Sequence, residues 1–249
     1  MSPPPRARFL DVAFDGLSLG QVVDAVLERT KRSDFSYVVT PNVDHIVRLE
    51  RGGATGAAFA AAYGDAALVL CDSRVLARLA RLSGVRLSLV PGSDLTPAVL
   101  ADARMKGRSV AVVGGSATLL PALAHRYPAI AFTQHQPPMG VLGNDAAMDA
   151  IEAYVAAAGA DVVFFAIGAP QSEVAAQRCR ERGRARGVGL CVGASLEFIV
   201  GEKRRAPRWM QRLGVEWAFR LGSEPRRLWR RYLVEGPRVF AIWMRHGRR

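Results

Sequence analysis

One aspartate is the clearest candidate in this sequence for acid–base chemistry. Asp72 directly follows the apolar run Ala67–Cys71, which has the composition of a buried β-strand. Apolar surroundings at such a strand end raise the pKa of a carboxylate toward the range of a general base. An aspartate that only caps the helix beginning at Arg74 is an equally good interpretation of the same residues.

The second candidate is a cationic segment near the C-terminal end. Residues 201–249 hold 14 lysines and arginines against four glutamates, a net charge of +10 out of +12 for the whole chain, together with all four tryptophans. At 100° per residue, one helix face carries Arg226, Arg227, Arg230 and Arg231, and the other carries Leu228, Trp229, Tyr232 and Leu233. Pro225 suits the first turn of this helix, and Gly236-Pro237 predicts its end.

Arginine-rich faces of this kind bind phosphate groups, because guanidinium contacts phosphate in a bidentate way. The segment therefore predicts contact with a membrane surface, a nucleotide diphosphate or nucleic acid. The plain alternative is a solvated charged face above an ordinary core face.

Further polar residues follow the run Tyr37–Thr40. Thr40 and Asn42 flank Pro41, and residues of these types are more often turn-formers than ligands. His45 lies on the helix predicted to follow, where it either orients an acceptor molecule or is an ordinary polar helix residue, and the second interpretation is favoured.

Several common chemistries are not supported. Gly114-Gly115-Ser116 gives free amides at a predicted helix start, but it is not a dinucleotide-binding fingerprint. His125 and His135 are isolated, no D-x-D pair is present, and the three cysteines lack C-x-x-C spacing. Neither a disulfide framework nor a zinc site is predicted, and a reducing compartment is favoured.

The elements that position these residues alternate along the chain. Strand-like runs occur at Tyr37–Thr40, Ala67–Cys71, Ser109–Val113, Ala129–Thr133, Asp161–Ile167 and Gly189–Val192. Helical stretches separate them, including Gly92–Met105, Asn144–Ala158 and Glu173–Arg186. Apolar strands between helices predict an α/β fold with a Rossmann-like parallel sheet covered by helices on both faces.

The composition divides the chain into three parts. Residues 1–8 are predicted to be a disordered leader without the apolar core of a signal peptide, residues 9–203 an α/β domain, and residues 204–249 a basic, Trp-rich helical appendage that binds membrane and nucleotide. No uncharged apolar run approaches the roughly 20 residues of a membrane-spanning helix. A cytoplasmic protein, soluble or peripherally attached to the inner face of the plasma membrane, is expected.

Several motifs together resemble a known family. The run Gly193–Gly201 and the segments Arg204–Met210 and Glu224–Tyr232 are similar to the C-terminal signature of the WecG/TagA/CpsF glycosyltransferases. Upstream, Thr40-Pro41-Asn42, Asp72, Gly92-Ser93-Asp94-Leu95, Gly168-Ala169-Pro170 and Glu173 occur in the family's order. The resemblance extends from about Phe9 to Phe240.

The resemblance implies a bacterial, inverting hexosyltransferase that needs no metal or other cofactor. Such enzymes transfer a sugar from a UDP-sugar to a polyprenyl-diphosphate-linked saccharide during synthesis of surface polysaccharides of the exopolysaccharide, teichoic-acid or antigen type. The family's base corresponds to Asp72, and its pocket residues to Thr40 and Asn42. Its diphosphate-binding arginines best match Arg220, Arg227 and Arg230. The implied partners are the UDP-sugar, the lipid-linked acceptor and an anionic membrane, with no nucleic acid.

The sequence departs from the family's pattern at three positions. The glycine expected after the base is Ser73, and an arginine expected at position 89 is Leu89, with Arg86 its nearest substitute. The family's Pro-Lys-Gln-Glu is Pro-Gln-Ser-Glu here, which moves the amide one position, to Gln171, and places Ser172 after it. These changes bear on the identity of donor and acceptor.

Two other functions compete with this interpretation. The sequence pI of about 10.7 and the interleaved arginine and tryptophan suggest a nucleic-acid-binding protein, although the near-neutral main domain has no recognisable reading motif. An inactive scaffold of a polysaccharide assembly complex is the other. The sequence leaves open whether the chain forms a homo-oligomer.

Overall fold

A parallel sheet forms the centre of the computed structural model, which describes residues 6–246. The strands are β1 (Arg6–Phe9), β2 (Val12–Asp15), β3 (Phe35–Val39), β4 (Leu68–Val69), β5 (Ser109–Gly114), β6 (Ala131–His135), β7 (Val162–Ala166) and β8 (Gly187–Cys191). Six of them pair in parallel in the order β4-β3-β8-β7-β5-β6, and β1 and β2 form a separate antiparallel pair. The predicted α/β, Rossmann-like class is confirmed.

Helices connect the strands and extend beyond the last one. In the main part they are α1 (Leu19–Arg29), α2 (Val43–Glu50), α3 (Gly53–Gly64), α4 (Arg74–Leu82), α5 (Gly92–Leu100), α6 (Leu119–Arg126), α7 (Asp145–Ala158), α8 (Gln171–Arg182) and α9 (Ser195–Ile199). The C-terminal segment adds α10 (Arg208–Leu213), α11 (Glu216–Ser223), α12 (Pro225–Trp229) and α13 (Arg238–His246).

The sheet is apolar on both faces, which explains the continuous apolar runs of its strands. Along β7, Val163 and Phe165 join the core on the side of α3, α7 and α8, whereas Val162 and Phe164 join the core on the side of α1, α5 and α6. Successive strand residues point to opposite faces, so a strand covered on both sides needs apolar residues at every position.

The predicted disordered leader is wrong for residues 6–8. These residues belong to β1, which pairs with β2, and the Arg6 Nε lies 3.1 Å from the Asp15 Oδ1. Asp15 in turn accepts the Val69 N–H at 2.7 Å, so the hairpin is attached to β4 at the sheet edge. The sequence did not indicate this hairpin, because each strand has only four residues and the turn at Leu10 and Asp11 adopts positive φ without the glycine or asparagine typical of such turns. Residues 1–5 of the leader lie outside the described residues.

Two predicted helix boundaries also differ. Helix α8 begins at Gln171, two residues before Glu173, and ends at Arg182 because Gly183 adopts the left-handed conformation with φ of 64°. The helix expected to run from Gly92 to Met105 ends at Leu100, and a short 3₁₀ turn follows at Ala103–Met105.

The C-terminal segment differs most from its prediction. Beyond Trp229 the helix continues as a π-helix, Arg230–Glu235, in which the wider i→i+5 turn invalidates a projection at 100° per residue. Leu228 is buried, but Trp229 and Leu233 are 52% and 54% exposed, so the predicted single apolar face is wrong. The helix ends before Gly236-Pro237 as predicted, and α13 follows at once.

The C-terminal helices pack against the main domain at several points. Val239 and Ile242 of α13 are buried in the core. Trp243 donates its indole N–H to the Ser83 hydroxyl at 2.7 Å, behind α4. Arg78 of α4 donates to the carbonyl of Leu213, at the end of α10, at 2.7 Å. These contacts hold the chain between α10 and α13 close to the carboxyl end of β4.

Candidate active site

Asp72 lies at the carboxyl edge of the sheet, where the chain leaves β4. Its backbone N–H donates to the Pro41 carbonyl at 3.0 Å. The preceding Cys71 forms a parallel bridge with Leu89, and the Val90 N–H donates to the Cys71 carbonyl at 3.0 Å. Asp72 is therefore fixed between two turns, one after β3 and the other before α5.

The environment of Asp72 favours its protonated form more than water does. The side chain is partly exposed, but desolvation by the surrounding protein is the main cause that raises its pKa to about 7. The carboxylates of Glu216 and Asp94 act in the same direction, whereas Arg220 and the Gly92 N–H lower the pKa. A carboxyl group that titrates near neutral pH is suited to accept a proton during a reaction.

Helix α11 brings the C-terminal segment to Asp72. Glu216 and Arg220 are one turn apart on this helix and share a face. The Arg220 guanidinium lies 5.8 Å from the centre of the Phe198 ring of α9, a cation–π arrangement that orients it. Arg220 is thus near the candidate base although it is distant in sequence. The Glu216 carboxylate is near as well, and its charge has the opposite effect on the pKa of Asp72.

The turn before α5 supplies a second charged pair near Asp72. A Cβ atom on Gly92 would lie 3.1 Å from the Cβ of Val192 and 3.3 Å from the Ser195 Oγ, so glycine permits this close approach. Two residues later, the Asp94 carboxylate lies 2.7 Å from the Arg205 guanidinium. The Arg205 side chain therefore adds a cation to the same edge of the sheet.

Thr40 and Asn42 lie on the neighbouring turn and hold it together. The Thr40 hydroxyl is buried and donates to the Cys191 carbonyl at 2.9 Å, which ties β3 to β8. The Asn42 side-chain oxygen accepts the Asp44 N–H at 3.0 Å and caps α2. Two donors of the Asn42 amide remain for a ligand.

His45 is placed in the core beneath this turn. Its Nδ1 is 2.9 Å from the Tyr63 hydroxyl, and the ring is 7% exposed. Desolvation lowers the pKa of His45 to about 3; the Asp44 carboxylate opposes this effect, while Arg231 and Arg48 add to it. His45 is therefore neutral at physiological pH and bound to Tyr63.

Gln171 and Ser172, which follow the turn after β7, both bond to backbone carbonyls but differ in what they leave for a ligand. The Gln171 amide nitrogen donates to the Ile167 carbonyl at 3.1 Å, which leaves its oxygen as an acceptor. The Ser172 hydroxyl is buried and donates to the Phe165 carbonyl at 3.2 Å. The Ala169–Pro170 peptide bond of this turn is cis.

Glu173 is a buried carboxyl group that the sequence motifs did not single out for chemistry. It is 2% exposed, and within residues 6–246 its Oε2 has no hydrogen-bond partner. Desolvation is the main cause that raises its pKa to about 7, and the nearby Arg48 opposes this shift. Burial raises the pKa of Tyr63, and the carboxyl groups of Glu173, Asp72 and Asp44 act in the same direction.

The structure does not bring all predicted arginines to Asp72. Arg227 pairs with Glu224 at 2.6 Å and is 57% exposed, and Arg230 lies 3.7 Å from Glu235 and is 75% exposed. Arg231 turns inward instead, with its guanidinium 3.3 Å from the Asp44 carboxylate. The roles predicted for Arg227 and Arg230 stay predictions.

A comparison with protein families shows the family to which the chain belongs. The model of the "Glycosyl transferase WecG/TagA/CpsF family" matches residues 7–249, nearly the whole chain. The chain belongs to the WecG/TagA/CpsF family of glycosyltransferases. Asp72 and the C-terminal segment both lie within the matched range.

The three departures from the family pattern have local structural roles in this glycosyltransferase. Ser73 caps α4, since its hydroxyl accepts the Leu76 N–H at 3.3 Å. Leu89 lies in the bridge beside Cys71, directly next to the candidate base. Ser172 is bound to a backbone carbonyl as described above. Asp72 and Arg220 are both present at this edge of the sheet despite the three departures.

Sequence reasoning overlooked several charged neighbours of the base. Glu216 precedes Arg220 by four residues, a helical spacing that would have predicted a shared face. Asp94 and Arg205 occur in the motifs that carried the resemblance, but no spacing along the chain indicates that they pair. Their contact follows only from the path of the chain after α9.

Some features are absent from the part of the chain that the structure describes. Among residues 6–246, no three histidine, cysteine, aspartate or glutamate side chains converge as they would around a metal ion. Within the same range, no helix has both the length and the apolar composition to cross a bilayer. The thiols of Cys71, Cys179 and Cys191 are free and buried.

Proposed function

We propose that this glycosyltransferase transfers a hexosyl group from a UDP-sugar to a polyprenyl-diphosphate-linked saccharide, with inversion and without a metal ion. Membership of the family supports glycosyl transfer in surface polysaccharide synthesis. One observation carries the finer proposal: Arg220, held 5.8 Å from the centre of the Phe198 ring, is near enough to Asp72 to lower its pKa, which supports a base and a phosphate-binding cation at one strand end. Ligands of parallel α/β sheets bind at this edge.

The reaction is a single displacement. The Asp72 carboxylate accepts the proton of an acceptor hydroxyl, and the hydroxyl oxygen forms a bond to the anomeric carbon of the donor. The bond from that carbon to the β-phosphate oxygen breaks, and UDP leaves with the electron pair. Because attack and departure occur on opposite faces of the sugar, the configuration inverts.

Arginine side chains neutralise the departing UDP in place of a metal. Arg220 is oriented by Phe198 and stabilises charge on the diphosphate from a fixed position. Arg227 and Arg230 join it when donor binds, because exposed ion pairs such as theirs with Glu224 and Glu235 contribute only about 0–1 kcal/mol each. A diphosphate offers them more charge than either carboxylate.

The sugar-binding residues follow from unused hydrogen-bonding groups. Asn42 offers its amide donors, and Gln171 offers its side-chain oxygen to a sugar hydroxyl. Thr40 shapes the pocket through its bond to Cys191. His45 has a supporting role through Tyr63, since its ring is buried.

The exposed surface of the C-terminal segment suits the inner face of an anionic membrane. Large apolar side chains are exposed there, among them Trp209 at 60%, Leu213 at 55% and Met244 at 56%. Arginines surround them, and each cation near an anionic leaflet contributes about 1 kcal/mol. Both terms together support reversible attachment close to a lipid-linked acceptor.

A panel of UDP-sugars tests the reaction. We expect UDP release from at least one donor only when a polyprenyl-diphosphate-linked sugar is present, with unchanged rates in excess EDTA and an inverted linkage in the product. Absence of turnover with every donor supports the inactive scaffold instead. Loss of activity in EDTA contradicts the metal-independent mechanism.

Vesicle flotation tests the attachment. Removal of residues 204–249 would also remove Val239 and Ile242 from the core, so point substitutions are the better probe. Trp209→Ser combined with Leu213→Ser is expected to reduce flotation with anionic vesicles without lowering thermal stability. Full flotation of this variant contradicts a role for these side chains in membrane attachment.

A further inference from the structure

A cavity lined by arginines lies at the carboxyl side of the sheet, and Arg220 is not part of its lining. It has a volume of about 220 Å³ and is enclosed by the α2–α3 turn and the cis-proline turn after β7. Its lining includes Arg48, Arg51, Gly52, Thr55, Phe59 and Pro170. Neither the catalytic step nor donor binding uses these residues.

The two arginines that line this cavity share their carboxylate partners with other arginines. Arg48 donates to the Asp44 carboxylate at 2.8 Å, and Asp44 also pairs with Arg231. Arg51 lies 2.9 Å from Glu235, which is also near Arg230 as noted above. Neither Arg48 nor Arg51 therefore has a carboxylate partner of its own. A guanidinium has five N–H donors, so one carboxylate contact leaves several donors for an anion.

The backbone of the cavity suits an anion as well. Gly52, at the N-cap of α3, provides no side-chain acceptor for the first amides of that helix. Gly52 and Gly53 have φ of 64° and 72°, and they leave the turn without side chains that would block an approaching ligand. Arg48, Arg51 and Thr55 thus line one small space at the start of α3, a combination suited to a phosphate or diphosphate.

The surroundings of the cavity favour a diphosphate joined to a hydrocarbon chain. Glu235, the partner of Arg51, directly follows Leu233 and Val234, which are 54% and 45% exposed. These residues belong to the surface proposed to contact the membrane. A water-soluble nucleotide needs no apolar neighbour, whereas a polyprenyl diphosphate requires its lipid end to leave toward a bilayer.

We propose that the Arg48–Arg51 cavity binds the diphosphate of the polyprenyl-linked acceptor, separately from the diphosphate of the donor. This inference rests on the proposed function, which supplies the acceptor. One turn links the two sites, because the Pro41 carbonyl accepts the Asp72 N–H at 3.0 Å and α2, which carries Arg48, begins two residues later. The acceptor saccharide extends from the cavity toward the base.

Binding of farnesyl diphosphate and of UDP, each measured by calorimetry, tests the proposal. Arg51 is 42% exposed, so Arg51→Ala and Arg51→Glu are expected to fold. We expect each to weaken farnesyl diphosphate binding by about tenfold or more, while the Kd for UDP stays within about twofold. Saturating UDP is expected not to displace farnesyl diphosphate from the unaltered protein.

Two control variants separate anion binding from other effects. Glu235→Gln removes the ion pair of Arg51 but keeps its cation, so farnesyl diphosphate is expected to bind equally well or more tightly. Arg184→Glu changes the same charge at the opposite edge of the sheet, just before β8, and is expected to change nothing.

The proposal is overturned if farnesyl diphosphate does not bind, if Arg51→Glu leaves its Kd unchanged, or if UDP displaces it. Equal weakening of both ligands by Arg51→Glu would assign the cavity to the donor diphosphate instead. These outcomes are distinct from failure of the proposed function, which appears as absence of transfer from every UDP-sugar. If the protein transfers sugar but the Arg51 substitutions do not change farnesyl diphosphate binding, only the role of the cavity is refuted.

Discussion

Two aspartates stand at opposite edges of the same parallel sheet and have opposite environments. Asp161, just before β7, accepts the N–H and hydroxyl of Ser109 at 2.9 and 3.0 Å and pairs with Arg108 at 3.1 Å. Desolvation alone would raise the pKa of Asp161, but the Ser109 hydrogen bonds and the Arg108 charge outweigh it and hold the pKa below its usual value.

Asp72, at the carboxyl edge, lacks such a set of partners. Desolvation dominates, two carboxylates add to it, and only Arg220 and one backbone N–H favour the charged form. Both side chains belong to the same scaffold, so the difference lies in their neighbours. A carboxylate with complete partners holds strands together, whereas one with incomplete partners is available to take a proton.

Substitution of Asp72 should have the largest effect. Asp72→Asn keeps the shape of the side chain but cannot accept a proton, so turnover should fall by about 10²–10⁴-fold. The Kd for UDP should change little, because Arg220 remains. Initial rates and UDP titration measure the two quantities. Activity within about tenfold of the unaltered protein would remove Asp72 from the role of base.

Asp161→Asn should show the reverse pattern. Loss of the charge leaves Arg108 without its partner and weakens two hydrogen bonds from Ser109, so the free energy of unfolding should fall by about 2–4 kcal/mol. Urea denaturation measures this loss, while transfer activity of the folded fraction should persist. A folded but inactive Asp161→Asn protein would contradict a purely structural role for Asp161.

The position of Asp72 could be predicted from sequence because it depends on local signals. The apolar run before it defines a buried strand, and carboxyl ends of parallel strands share one edge. The order of the strands could not be predicted in this way, because strand pairing joins residues that are distant in sequence, such as those of β3 and β8. The hairpin of β1 and β2 is local, but its four-residue strands are too short to show a clear alternation and its Leu10-Asp11 turn lacks glycine and asparagine.

The C-terminal segment shows where local reasoning fails. The composition indicates a cluster of arginines, and one of them, Arg220, is near enough to Asp72 to lower its pKa. The inward turn of Arg231 to Asp44 depends on a π-helix, and the periodicity of an α-helix cannot predict that geometry. The spacing of four residues predicts that Glu216 shares a face of α11 with Arg220, but it does not predict that Glu216 lies near Asp72.

The neighbours of Asp72 predict opposite shifts of the pH–rate profile. With a pKa of about 7, activity should rise with pH through neutrality as Asp72 ionises. Glu216→Gln removes a negative charge and should move this rise to lower pH, whereas Arg220→Gln removes a positive charge and should move it to higher pH, each by about one unit. Profiles of kcat/KM measure both positions. Shifts in the same direction would contradict the assignment.

The smallest expected effect is the change in stability of Asp72→Asn with pH, and its sign also distinguishes the two aspartates. The folded pKa of Asp72, about 7, exceeds the unfolded value of about 3.9, so the folded protein binds more protons between these values and loses stability as pH rises. Asp72→Asn should therefore match the unaltered protein near pH 4 and gain stability at pH 8, on the order of 1 kcal/mol after allowance for partial exposure. Asp161→Asn should lose nearly the same stability at pH 8 and near pH 4, because the loss shrinks only as pH falls below the unfolded value of about 3.9 and through the lowered pKa of Asp161. Urea titrations at both pH values measure the two differences, and a gain for Asp72→Asn that is larger at pH 4 than at pH 8 would contradict the raised pKa.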